Sequence, residues 1–134
     1  MSPKLRQQVW DRAGGICECC HLPEEFDVRP FQPDHVIATK HHGESSFENL
    51  ALACLDCNVH KGPNLSGYHA QTGQIVRLFN PRRDQWSQQF HWDGPWLRGK
   101  SVIGEVTIDV LAINRPDRVE LRRELIGGGF VFAD

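Results

Sequence analysis

The chain has 134 residues, 40% of them hydrophobic and 24% charged, with a formal net charge of -2. That length suits one compact domain whose core is small enough to benefit from a staple. The near-neutral balance excludes a globally basic nucleic-acid binder, so any phosphate contact must be local, and no apolar run approaches the roughly 18 residues of a membrane span.

In chain order, Ser2-Pro3 reads as an N-cap and first helical position. Leu5, Val9 and Ala13 then give a helical stripe that stops at Gly14-Gly15. The charges in MSPKLRQQVW leave no apolar stretch for a signal peptide, so a cytoplasmic location is expected. After a cysteine knuckle at Cys17 to Cys20, the prolines Pro23, Pro30 and Pro33 permit only short or edge strands. Asp34 to Ala38 reads as one strand and Leu50 to Ala53 as a second, joined by a polar loop into a hairpin. Leu55 to Lys61 reads as a short helix stopped by Gly62-Pro63.

Beyond Pro63, Ile75 to Phe79 and Phe90 to Trp92 have strand character on either side of the turn-forming Asn80-Pro81. Ile103 to Ile113 and Asp117 to Ile126 carry apolar residues at helical spacing. The β-branched Val102, Val106, Thr107 and Val110 keep a strand open as an alternative for the first. The pattern is α+β. A single domain over 1–134 is expected, with residues 1–62 as a stapled core and 63–134 as an extension packed on it.

Five cysteines are an odd number, and four form two i, i+3 pairs, Cys17/Cys20 and Cys54/Cys57. In a reducing compartment that spacing points to metal rather than disulfides, and four thiolates suit tetrahedral zinc with no position left for substrate. The zinc is therefore expected to be structural. Cys19 and His21 beside the first knuckle are poorer candidates, since either would break the i, i+3 symmetry.

Between and after the knuckles stand Asp34-His35, Glu48-Asn49-Leu50, Asn58 and Lys61-Gly62. In this order the set resembles the HNH (His-Asn-His) endonucleases, specifically the small stand-alone bacterial type with four-cysteine zinc knuckles. The resemblance implies a ββα-metal fold around one divalent cation and hydrolysis of DNA phosphodiester bonds. His35 would be the general base, since an imidazole of ordinary pKa near 6.5 can accept a proton at neutral pH. Asn49 would orient that ring, and Asp34 and Asn58 would supply hard oxygen ligands to magnesium or manganese. Adjacent strand residues face opposite ways, so Asp34 and His35 can cooperate only at a strand end or distortion.

The family often has His where this chain has Asn58, which leaves the metal preference open, and His60 is a possible additional ligand. Lys40, Arg82 and Arg83 are candidate contacts to the DNA phosphate backbone, with Arg77, His41 and His42 nearby in sequence. Trp86, Trp92 and Trp96 read as packing residues rather than base-stacking platforms. The alternative to an enzyme is a non-catalytic zinc-knuckle module that binds nucleic acid or protein.

Overall fold

The structure is a computed structural model describing residues 1–134. Helix α1 (Pro3–Ala13) begins where Ser2 Oγ accepts the Leu5 N–H at 3.1 Å and ends at Gly14 in the left-handed region. It lies on the hairpin β1 (Gln32–His35) and β2 (Leu50–Ala53), anchored by Arg12, which donates to the carbonyls of Phe47 and Leu50. The two strands are antiparallel, with Asp34 opposite Ala51 and His35 opposite Leu50. Helix α2 (Leu55–Lys61) follows β2 directly, with Cys54 as its N-cap.

The first strand is displaced from its expected position at Asp34 to Ala38. Pairing ends at His35 because β2 has no residue before Leu50 to continue the register, and one further bond, from Val36 N–H to Asn49 O, closes the ladder. The backbone of Ile37 bonds instead to the side chain of Asn49. A side-chain amide can satisfy a turn in place of a partner strand.

The extension forms two hairpins and three helices. Strands β3 (Ser66–His69) and β4 (Gln74–Arg77) pair first, and the single-turn α3 (Trp86–Gln89) leads into β5 (Phe90–Asp93) and β6 (Trp96–Gly99). Helices α4 (Val102–Val110) and α5 (Pro116–Gly127) complete the chain. Strand β3 and α3 were not evident in the sequence. Ser-Gly-Tyr-His has weak strand propensity, but Gly67 lets α4 approach: an added Cβ would strike Val106 and Val110. For α4 the helix prevails over its β-branched content, with Ser101 Oγ capping the Gly104 N–H at 3.0 Å.

One continuous buried cluster runs from Val9 through Leu50, Leu52 and the paired cysteines to Phe90, Leu97, Leu111 and Phe132. Trp86 is part of it, its Nε1 donating to the Cys19 carbonyl at 2.9 Å, and Trp92 packs between Trp86 and Phe132. Helix α5 buries two arginines beside Val119, with Leu121 and Leu125 packed on the core. Arg122 donates to the carbonyls of Pro95 and Ile113, and Arg118 pairs with Asp56 at 3.1 Å. No helix is long and apolar enough to cross a membrane.

Candidate metal centre and active site

Cys17, Cys20, Cys54 and Cys57 are all buried, and their sulfurs lie within 4.8 Å of one another. A regular tetrahedron with Zn–S bonds of about 2.3 Å has S···S edges of about 3.8 Å. The Cys20 and Cys54 sulfurs are 3.8 Å apart. The donor set therefore fits a four-sulfur metal ion. Cys54 has three duties here, since its Sγ also accepts the Cys57 N–H at 3.4 Å and lies 3.9 Å from the Arg118 guanidinium. A cation beside thiolates offsets part of the negative charge that four sulfurs bring to the interior.

Neither alternative ligand joins this cluster. Burial pushes the Cys19 thiol well above its ordinary range, which keeps it protonated and inert. His21 has left-handed backbone (φ 59°) and stacks on Trp86 at 3.8 Å, while its Nδ1 is hydrogen-bonded to Ala133 O at 3.0 Å.

The second group of residues gathers where β1 ends. His35 is the last strand residue, and its Nε2 is hydrogen-bonded to Ser45 Oγ at 2.8 Å. Its carbonyl accepts from Lys61 Nζ at 3.0 Å, which ties the end of α2 to the end of β1. Lys61 is buried despite its charge. The half-buried Asp34 stands nearby, and burial pushes its carboxyl up while the charges of Lys61 and His35 oppose the shift. A desolvated carboxylate with partial compensation is a good ligand for a hard cation, which would hold it ionised. Asn58 lies three residues before Lys61 on α2, so both share the helix face turned to the hairpin.

Asn49, expected from the sequence to orient the imidazole, makes its side-chain hydrogen bonds to the loop instead. Its Oδ1 accepts the Ile37 N–H at 3.0 Å, and its Nδ2 donates to the carbonyls of Ile37 and Glu44 at 3.0 and 2.8 Å. The amide is spent on the loop, and Ser45, the residue after Glu44, is what meets the ring. Asn49 thus shapes the loop that carries Ser45. Gly43 sits inside the same turn, where an added Cβ would overlap the Ile37 carbonyl and crowd Asn49 Nδ2. We expect Gly43→Ala to displace Ser45 and lower any nicking activity by about fivefold, the equivalent of the hydrogen bond that Ser45 makes to His35. Metal content should be unchanged. Plasmid nicking alongside metal analysis checks both.

The remaining expected site residues divide. His60 is turned away from Asn58 on α2: its Nδ1 is hydrogen-bonded to Asp56 O at 2.8 Å and its Nε2 to Arg115 at 3.4 Å. Both ring nitrogens are occupied, so His60 is not placed to ligate. Arg82 has a largely covered guanidinium that pairs with Glu18, whose other oxygen accepts the Leu52 N–H at 2.7 Å. Lys40 is exposed on a short 3-10 turn (Thr39–His41), and His41 Nε2 is hydrogen-bonded to Pro63 O at 3.1 Å. Arg83 is exposed and lines a cleft that also contains Val36 and Lys61.

Residues 17–64, which contain both groups, match the family model described as HNH endonuclease. That segment is an HNH domain. Around it, the chain is 24% identical over 127 residues to the Septu protein PtuB of Bacillus thuringiensis, an alignment covering 93% of this chain and 47% of that protein. It is also 29% identical over 106 residues to the Septu protein PtuA of Bacillus mycoides (strain KBAB4), covering 71% of this chain and 14% of that protein. The chain thus spans about half the length of the first relative and about a seventh of the second. No solved structure matches it significantly. The similarity to PtuB extends well beyond the HNH domain into the hairpins and helices of the extension, which pack on that domain in one core.

Proposed function

We propose that this protein is a cytoplasmic, divalent-cation-dependent endonuclease that hydrolyses phosphodiester bonds in DNA, with a structural zinc on the four cysteines. The observation that carries this reading is the placement of His35 beside a half-buried carboxylate, Asp34, at a strand end locked by Lys61 within an HNH domain. In the tautomer whose Nε2–H donates to Ser45 Oγ, the lone pair on Nδ1 is free to accept a proton from water. The resulting hydroxide oxygen bonds to phosphorus as the bond from phosphorus to the leaving oxygen breaks, and the leaving oxygen then takes a proton from solvent. A magnesium or manganese ion held by Asp34 and Asn58 would neutralise charge on the phosphate. His35, Ser45 and Lys61 do the rest: one moves the proton, one fixes the ring, and one fixes the backbone that carries it.

DNA is contacted mainly through phosphate in this reading, with Lys40 and Arg83 as the exposed cations near the site. Because the relatives are much longer, we further infer that this unit works beside additional polypeptide that supplies targeting.

The test is nicking of supercoiled plasmid with and without added magnesium or manganese. Asn58→Ala should raise the cation concentration needed for half-maximal nicking, and manganese should partly restore its rate. Plasmid binding without cation-dependent nicking would leave a zinc-stapled binding module instead.

A further inference from the structure

A cleft of about 320 Å³ opens just past the end of β1, lined there by Val36 and Ile37. Its walls include Val36, next in sequence to the base, and Lys61, which bonds to the His35 carbonyl. Leu65, Leu78 and Phe79 make its floor apolar, while Arg77 and Arg83 stand at its rim. Arg77 is already paired with Asp84 at 2.8 Å, so the less compensated rim cation is Arg83, which shares only the longer-range charge of Asp84. A volume of this size is at the lower end for small-ligand sites, and an apolar floor under a cationic rim suits a flat base attached to a phosphate.

The cleft does not end at Arg77. In the β3–β4 register Arg77 is opposite Ser66 and Ile75 is opposite Tyr68, so these four side chains share one face of the hairpin. The other face packs on α4, where Gly67 and Val76 meet it. On the outward face Tyr68 is 59% exposed and Ile75 71% exposed, an aromatic and aliphatic pair one step of about 7 Å beyond the cleft rim. Folding gains nothing from leaving such a pair in water. A cationic groove that continues into an exposed aromatic is the pattern by which proteins hold single strands, stacking successive bases without reading them.

We propose that the cleft and the Tyr68/Ile75 face together bind an unpaired DNA segment flanking the scissile phosphate, one base on the apolar floor and the next stacked on Tyr68. This rests on the nuclease reading for the position of the scissile bond. The preferred substrate is then a strand with an unpaired flank, such as a fork, flap or gap, rather than continuous duplex.

The test separates binding from cleavage. Fluorescence anisotropy with a labelled oligo-dT, without added divalent cation, should give about tenfold weaker binding for Tyr68→Ala and for Arg83→Ala, while zinc content and thermal stability stay at wild-type values. Both side chains are exposed, so neither substitution removes core packing. In parallel, the wild-type protein should cleave a flapped duplex faster than the same duplex fully paired, and Tyr68→Ala should reduce that preference. Unchanged oligo-dT affinity in both variants overturns the inference even if plasmid is nicked normally. Weakened affinity in a protein that nicks nothing supports the strand path while removing the nuclease reading. Tighter binding of oligo-rU than oligo-dT overturns the assignment to DNA.

Discussion

Cys54→Ala is expected to abolish metal binding at the four-cysteine site and leave the chain without a cooperative thermal transition. The three surviving sulfurs would have one open corner, and the substitution also removes the side-chain cap of α2 and the sulfur beside Arg118. Structural zinc contributes on the order of 10 to 16 kcal/mol in apparent binding terms, which matches or exceeds the whole stability of a typical domain, about 5 to 15 kcal/mol. Loss of a cap costs only about 1 kcal/mol, so metal release is the larger effect. Cys19→Ala is the control: it empties a small buried volume but touches none of the four sulfurs, and should keep one zinc per chain. Metal analysis and thermal circular dichroism decide the matter. A full zinc equivalent and an unchanged transition in Cys54→Ala would show that the quartet does not staple this fold.

The parts legible in the sequence are those whose cause is local. Ser2-Pro3 starts α1 and Gly62-Pro63 stops α2 whatever the rest of the chain does. The two cysteine pairs each span one turn, so their convergence required only that the knuckles meet. What stayed hidden depends on residues far apart in the chain. Strand β1 ends early because Asn49 captures Ile37, and β3 exists because α4 packs against Gly67. Arg82 looks like a free cation until Glu18, 64 residues earlier, comes to meet it. The same holds within the candidate site. Lys61 closes the motif in sequence, but its bond to the His35 carbonyl appears only when α2 folds back on β1, and Ser45 is an ordinary loop residue until the Asn49 amide draws Glu44 inward.

His35→Ala is expected to lower plasmid nicking by about 10²- to 10⁴-fold, the usual cost of losing a general base, with zinc content and DNA affinity retained. The structure explains why the fold should survive. Lys61 holds the His35 carbonyl, which alanine keeps, so the contact between α2 and the strand end is undisturbed. The side-chain bond lost is the solvent-facing one to Ser45. Ser45→Ala removes that same bond while leaving the imidazole, and should reduce the rate by only about fivefold, the equivalent of one hydrogen bond. The two variants together distinguish a base from a mere structural histidine, because a structural role would make them nearly equal. Added manganese should improve Asn58→Ala but not His35→Ala, since a cation can be restored by mass action whereas a proton acceptor cannot. A folded, zinc-loaded His35→Ala protein that nicks plasmid at the wild-type rate would remove this residue from the chemistry.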